Sequence, residues 1–280
     1  MLTSPLLSAE PRIMHGFSTR AGGVSVLPHT ASMNVADGHG DPPGTVRENI
    51  GILARAVSGG ALDERAVVCA PQIHSAKIRR VTAADAGSGV VSPPGESGDG
   101  FVTDAPGVLL MIRMADCVPI LFSARREDGA PLAAAVHAGW RGTVAGIAPA
   151  AVALLLAMGA QRESIRCALG QAIHACCYEV GADFRDAVRA AQGADFAQAH
   201  IASRNGRLFA DVPGMNRTLL LAAGLTETQI ELSPYCTACA PSIFHSHRAS
   251  RGMRGAMGAL IGIRAADGGN GENGENAAFS

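Results

Sequence analysis

The chain has no excess of either charge and no run of basic residues, which argues against a nucleic-acid-binding surface. Its 280 residues contain 23 Lys and Arg against 24 Asp and Glu, for a net charge of −1. Nucleic-acid-binding domains instead concentrate basic side chains on one face. The glycine-rich pattern that ends in Gly-Lys-Ser/Thr is also missing, so we do not expect a P-loop nucleotidase.

The first residues lack the basic segment and long apolar segment of a secretion signal. We therefore expect a cytoplasmic protein whose 7 cysteines are reduced thiols. One long uncharged stretch, residues 144–160, is rich in Ala and Gly and contains Pro149. We predict that this stretch is a buried helix beginning after Gly142, and that the chain has no membrane span.

Two kinds of segment alternate along the chain and predict a mixed fold. The predicted strands are 66–70, 77–81, 107–114, 119–122 and 132–137, with further strands near 166–169 and 229–232. The predicted helices are 45–58, 142–158, 181–191 and 211–223. This order favours an α/β or α+β sandwich, a single domain with mixed sheets flanked by helices. The polar tail 265–280 is predicted to be disordered.

Three residues in polar, glycine-rich patches are the first candidates for chemistry: His74 in QIHS, Cys117 in ADCVP and His137 in VHAGWRG. Two imidazoles and a thiolate are a suitable ligand set for zinc, and three protein ligands leave a fourth position for water or substrate. Cys117 and His137 lie at or just past predicted strand ends. A hydrogen-bonded core histidine and a buried small thiol stay open as alternatives.

Basic side chains in other polar segments are candidates for anion binding. Arg141 stands beside the predicted start of a helix, where it could receive an anion or cap carbonyl groups. Ser18, Thr19 and Arg20 could hold phosphate or form an exposed turn. The segment 245–248 (HSHR) could supply a further anion contact.

The remaining cysteine motifs are predicted to be structural. The adjacent thiols in 176–179 (CCYE) should point apart, so we expect a packed loop and not a shared metal. A pocket wall with Tyr178 or Glu179 facing substrate is the alternative. The motif 236–239 (CTAC) has no second C-x-x-C with which to form a zinc ribbon. Pro241 disfavours the helix start that a redox pair needs.

Several motifs occur in a characteristic order along the chain. They are HGFSTRAGGVS (15–25), QIHS (72–75), GDGFVTDAPG (98–107), ADCVPILF (115–122), VHAGWRG (136–142), GQAIHACCYEVG (170–181), DVPGMN (211–216) and CTAC (236–239). In these motifs the chain resembles the laccase-domain family, once called multicopper polyphenol oxidases. Its members are also described as purine nucleoside phosphorylases, and one bacterial branch as peptidoglycan editing factors. The resemblance covers residues 12–263.

The resemblance implies one α/β-sandwich domain, residues 1–264, with zinc held by His74, Cys117 and His137; copper is the other metal to consider. It implies phosphorolysis of adenosine, inosine and methylthioadenosine, with adenosine deamination as a second activity, in which the metal would activate phosphate or water. The candidates for phosphate and sugar contacts are Arg20, Gln72, Arg141 and Arg248. We expect purine nucleoside and phosphate as partners, and a monomer or small homo-oligomer.

The sequence departs from the family pattern at two places. The family usually has S-Y-R-R-D followed by a Gly-Arg pair, whereas this chain has 246–250 (SHRAS) and a reversed pair, Arg254-Gly255. The second arginine is missing, which predicts altered affinity or substrate choice. His174 replaces a glycine and Ala175 a proline, which predicts a narrower pocket.

Two further functions stay open. Cys117 could be the nucleophile of a metal-free hydrolase or amidase, with His137 or His74 as its base, as the editing of a peptidoglycan precursor would need. A copper oxidase acting on phenols would require many more ligands, including several His-x-His pairs. Only 245–247 (HSH) has that form in this chain.

Overall fold

The computed structural model describes residues 1–265, so the predicted tail lies outside the described residues except for Ala265. Seven helices occur in this part of the chain: α1 (Pro5–Ser8), α2 (Pro43–Ser58), α3 (Trp140–Val144), α4 (Ile147–Ala157), α5 (Ala182–Gln192), α6 (Ala194–His200) and α7 (Val212–Ala222). Its strands are β1 (Ile13–Phe17), β2 (Val67–Val68), β3 (Ile78–Val81), β4 (Gly100–Thr103), β5 (Leu109–Met114), β6 (Val118–Arg125), β7 (Pro131–Ala138), β8 (Arg166–Leu169), β9 (Glu179–Val180), β10 (Ile201–Arg204), β11 (Arg207–Ala210), β12 (Ile230–Leu232) and β13 (Met257–Ile263).

Two sheets pack face to face. Their central strands are apolar on both sides, so the inner faces pack against each other and the outer faces pack against helices. One sheet has the order β1-β13-β5-β2 and the other has the order β12-β8-β6-β7-β4-β3. On β5, Leu110 and Ile112 point between the sheets, whereas Leu109 points outward to α2. On β6, Leu121 points between the sheets and Phe122 points outward to the helices. Alternate side chains of one strand thus fill two different cores.

Helices cover both outer faces of this pair of sheets. Helix α2 packs on the four-stranded sheet and α4 packs on the six-stranded sheet, while apolar side chains of α5 and α7 join the same outer core as α4. A third sheet, in the order β10-β11-β9, comes from residues 179–210, the part of the chain that also forms α5 and α6. The arrangement confirms the predicted sandwich of mixed sheets flanked by helices.

Strand β13 is the main element that sequence patterns did not predict. It pairs antiparallel with β1 on one side and with β5 on the other. Its glycines weaken the strand pattern, but a Cβ on Gly258 would lie 2.8 Å from Leu53 Cδ2 on α2. A Cβ on Gly262 would lie 2.3 Å from the carbonyl oxygen of Val108. These glycines therefore permit close packing around the strand.

The predicted helix 142–158 is wrong in its extent. The chain forms α3 and α4 instead, and the two helices are separated at Gly146, whose φ is +80°. The predicted burial is correct, because Ile147, Val152 and Leu155 all lie in the core. Among the described residues, we find no helix with the length and apolar character needed to cross a membrane.

Replacing Gly146 tests the break between α3 and α4. We expect Gly146→Ala to lower the free energy of unfolding by about 1–2 kcal/mol, because an alanine is strained at positive φ. Gly44→Ala in α2 is the control, since nothing lies within 4 Å of a Cβ there and Gly44 has no positive φ. It should be neutral or stabilising by up to about 1 kcal/mol. Urea unfolding measures both variants, and a stabilising Gly146→Ala would instead support one continuous helix.

Candidate metal centre and adjoining cleft

The structure brings together His74, Cys117 and His137, which are distant in sequence. Cys117 directly precedes β6, and His137 lies near the end of β7, opposite Pro119 in the antiparallel register. His74 reaches the same point from the loop between β2 and β3. Its Nε2 lies 4.0 Å from Cys117 Sγ, and the ligand atoms of all three residues lie within 4.8 Å of one another. His74 is exposed, Cys117 is half-buried and His137 is buried.

A fully buried carboxylate, Asp99, positions two of these three residues. It precedes β4 and accepts a hydrogen bond from His137 Nδ1 at 2.9 Å. It also accepts from the backbone amide of His74 at 3.0 Å, and from the amide and hydroxyl of Ser75 at 2.6 and 2.8 Å. A carboxylate that binds Nδ1 fixes the ring and leaves Nε2 free to bind a metal. Sequence reasoning missed this residue, although it lies in the GDGFVTDAPG motif.

The charges of the site favour a thiolate. Burial alone would raise the pKa of Asp99, but hydrogen bonds from His137 and Ser75 outweigh burial and lower that pKa to about 2. Burial would also raise the pKa of the Cys117 thiol, but His137 and His74 lower it to about 6. Burial opposes a charge on His137, yet Cys117 and Asp99 raise the pKa of its imidazole. The thiolate is the form of cysteine that binds metals and attacks electrophiles.

Two residues of the site have left-handed backbone conformations that non-glycine residues seldom adopt. His74 has a φ of +58° and Asp116, next to Cys117, has a φ of +91°. Asp99 holds the first of them through the backbone amide of His74. Asp116 is held by Thr237 Oγ1, which donates to it at 2.6 Å, and by the amide of Arg248, at 2.7 Å. Such strain persists only where surrounding contacts enforce it.

A glycine leaves room between the three candidate ligands. A Cβ on Gly139 would lie 2.8 Å from His74 Cδ2, 3.2 Å from Cys117 Sγ and 3.5 Å from His137 Cε1. Any larger residue would therefore intrude on the space that the three side chains share. The two nitrogen donors, the sulfur donor and this free space fit a single zinc ion.

The three residues open onto a cleft of about 350 Å³. Small-molecule sites span roughly 300–1,000 Å³. Arg113, Arg254 and His39 line the cleft, together with Asp37. None of these four residues was among the candidate ligands predicted from the sequence. A signal did exist for Arg113, which is a charged residue within the otherwise apolar strand β5.

The sequence-predicted anion ligands are placed differently from one another. Gln72 lines the cleft, but its side-chain amide makes two hydrogen bonds of 2.8 Å to the backbone of Arg113. Arg20 donates to the carbonyl oxygens of three residues: Pro28, Ala31 and Pro241. Arg141 lies over the ring of Trp140, with its guanidinium carbon 4.3 Å from the ring centre.

Arg248 donates to the carbonyl of Glu179 at 2.8 Å and lies over the ring of Tyr178. Neither it nor Arg20 or Arg141 is among the residues that line the cleft. Their contacts with phosphate or sugar stay predictions.

The structure also brings together four cysteines that we expected to be separate. The sulfur atoms of Cys176, Cys177, Cys236 and Cys239 all lie within 4.8 Å of one another. The prediction that Cys176 and Cys177 point apart is wrong. The turn that begins at His174 directs both sulfurs toward Cys239, at distances of 3.4 and 3.3 Å.

The fold and site define an α/β sandwich with two imidazoles and a thiolate clustered in a cleft that two arginines line. Residues 14–264 match the family model described as multi-copper polyphenol oxidoreductase laccase, and the chain belongs to that family. It is 38% identical over 242 residues to the purine nucleoside phosphorylase YlmD of Geobacillus stearothermophilus, and the alignment covers 85% of each chain. It is 37% identical over 249 residues to the purine nucleoside phosphorylase of Deinococcus radiodurans, which covers 89% of this chain and 88% of the relative.

Solved structures show the same fold. The crystal structure of the Bacillus licheniformis hypothetical protein YfiH superposes with a TM-score of 0.83 at 32% identity, covering 91% of this chain and 94% of that one. The crystal structure of YlmD from Geobacillus stearothermophilus superposes with a TM-score of 0.80 at 34% identity, covering 94% of each chain.

Proposed function

We propose that this chain is a zinc-dependent purine nucleoside phosphorylase. The observation that carries the proposal is that His74, Cys117 and His137 converge at a cleft lined by Arg113 and Arg254. Three protein ligands leave one position of a zinc ion open, as in catalytic sites. The substrate class rests on the relatives, which are named purine nucleoside phosphorylases. Adenosine, inosine and methylthioadenosine are the proposed substrates.

The cationic side of the cleft suits phosphate. Arg113 already donates one Nη2 hydrogen bond to the carbonyl of Ala70, at 2.9 Å, which fixes its guanidinium group. Arg254 donates to the carbonyl of Gly255 at 3.1 Å and lies 3.5 Å from His39 Nε2. A guanidinium group binds phosphate through paired hydrogen bonds. Asp37 also lines the cleft, and its carboxylate would accept hydrogen bonds from ribose hydroxyls.

The protein's own residues would bind and orient the reactants. A bound zinc ion supplies Lewis acidity, which can activate phosphate or water. His74, Cys117 and His137 would hold that ion, and Asp99 would keep the His137 ring in its binding orientation. Arg113 and Arg254 would place a phosphate oxygen toward the ribose C1, so that the encounter occurs in a favourable geometry. The purine would leave C1 as a neutral or hydrogen-bonded group.

We extend the proposal to adenosine deamination, in which water would be the nucleophile and purine C6 the electrophile. We place both reactions in the cytoplasm, where thiols stay reduced. The protein would act there as a monomer or a small homo-oligomer.

One observation favours a second candidate function. Cys117 lies beside His137, and His137 is backed by Asp99, which is the order of groups in a cysteine hydrolase. Such an enzyme would form an acyl-thioester at Cys117 without a metal, and a peptidoglycan precursor amide is the substrate to test.

A copper oxidase has less support. Among residues 1–265, clusters of three or more ligand-type side chains occur only at the His74 site and at the four cysteines. The buried His245 of the HSH motif makes a hydrogen bond of 3.1 Å to the carbonyl of Met33. Neither observation supplies the several histidine pairs that multicopper chemistry needs.

Replacing Cys117 tests the proposed function. We expect Cys117→Ala to fold as the wild type does and to lose phosphate-dependent release of adenine from adenosine, because one of three ligands is missing. Cys69→Ala is the control, since Cys69 is a buried free thiol outside both clusters. Product analysis with and without phosphate separates phosphorolysis from hydrolysis and deamination. Full phosphate-dependent activity in Cys117→Ala would refute the metal-site proposal. Amide hydrolysis that survives zinc removal but is lost on alkylation of the thiol would support the hydrolase.

Replacing Arg254 tests the phosphate subsite. Loss of a hydrogen bond to a charged group costs about 1.5–3 kcal/mol. We therefore expect Arg254→Gln to raise KM for phosphate roughly 10- to 100-fold, with little change in KM for the nucleoside. Arg20→Gln is the comparison, because its guanidinium is held by backbone carbonyls and its loss should reduce Tm instead. Initial rates across phosphate concentrations give the answer. A selective rise in KM for phosphate in Arg20→Gln, with none in Arg254→Gln, would assign phosphate binding to Arg20 instead.

A further inference from the structure

We propose that Cys176, Cys177, Cys236 and Cys239 form a second metal site, which binds one zinc ion through four thiolates and has a structural role. This tetrathiolate site is separate from the His74 site and does not depend on the reaction proposed above.

The distances between the sulfur atoms fit one ion. Zinc binds sulfur at about 2.3 Å in tetrahedral sites, so two sulfur ligands lie about 3.8 Å apart. Cys239 Sγ lies 3.4 Å from Cys176 Sγ and 3.3 Å from Cys177 Sγ, and no pair among the four exceeds 4.8 Å. An iron–sulfur cluster would spread its cysteine ligands over several iron atoms and would need longer separations.

The backbone around the four cysteines suits a group of thiolates. The amide of His174 donates to Cys236 Sγ at 3.4 Å, which stabilises negative charge on that sulfur. The guanidinium of Arg204 donates to the carbonyl of Ala175, next to Cys176, and brings a positive charge to the cluster. Four thiolates carry more negative charge than one zinc ion neutralises, so both contacts favour the bound state.

The burial of the four cysteines indicates a site at the protein surface, in which the four sulfur ligands would enclose the ion. Cys236 is buried, Cys177 is half-buried, and Cys176 and Cys239 are exposed. Four protein ligands fill a tetrahedral coordination sphere and leave no position for a substrate, which is typical of a structural zinc site.

The loops that this site would join also support Cys117. Thr237, between the two cysteines of CTAC, donates to the Asp116 carboxylate at 2.6 Å. Ile173, just before the Cys176 turn, donates its amide to the Asp116 carbonyl at 2.9 Å. The backbone of Thr237 in turn donates to the carbonyl of Ala172 at 2.9 Å. A metal that joins the two loops would therefore stabilise the strained residue that precedes Cys117.

Cobalt substitution tests the tetrathiolate site. The full chain is reduced, stripped of metal and titrated with Co²⁺, whose thiolate charge-transfer bands and tetrahedral d–d bands report the number of sulfur ligands. We expect two bound cobalt ions per chain. The four-thiolate spectrum should persist in Cys117→Ala, which removes a ligand only from the His74 site. It should be lost in Cys239→Ser and retained in Cys69→Ser, a control outside both clusters.

The other outcomes would overturn the proposal. They are a cobalt spectrum of one or two sulfurs that disappears in Cys117→Ala, or a disulfide among the four cysteines found by mass spectrometry of protein purified without air. If Cys239→Ser does not fold, Cys176→Ser at the other exposed cysteine replaces it, and the spectrum of Cys117→Ala still decides. A four-thiolate spectrum in a wild-type protein that does not catalyse phosphorolysis would support this site while refuting the proposed function.

Discussion

The buried carboxylate of Asp99 is the constraint on which the candidate site depends. A buried charge is unfavourable unless hydrogen bonds replace its water, and Asp99 receives them from His137, from Ser75 and from the amide of His74. Those partners belong to two distant segments of the chain. One carboxylate therefore fixes the His137 ring and the strained loop of His74 relative to each other. Antiparallel pairing of β6 with β7 then places Cys117 beside them.

A second acidic residue, Asp116, has a comparable role on the other side of Cys117. Its carboxylate is occupied by Thr237 and by the amide of Arg248, so it holds loops together. The carboxylates adjoining the ligands thus position the site, and the positive charge at the cleft comes from Arg113 and Arg254. This division explains how the Cys117 thiolate can lie beside a region suited to phosphate.

Strand patterns are local, and they predicted the sandwich. Residue types made His74, Cys117 and His137 candidate ligands with other roles left open, and their grouping at one site was what the family resemblance implied. The sequence could not predict β13, since Gly258 and Gly262 weaken its pattern and their value lies in packing against other elements. Arg254 was noted only as part of a reversed pair, because its place in the cleft arises from the tertiary fold. The grouping of the four cysteines was not predicted, because the adjacency of Cys176 and Cys177 does not reveal the turn after His174.

Anomalous diffraction at the zinc edge, from crystals of protein purified without added metal, would locate an ion at the His74 site. We expect an anomalous peak within bonding distance of Nε2 of His74, Sγ of Cys117 and Nε2 of His137, with the hydrogen bond between His137 and Asp99 intact. Fully occupied crystals in which no metal bridges these three side chains, or in which His74 points away from the other two, would contradict this expectation.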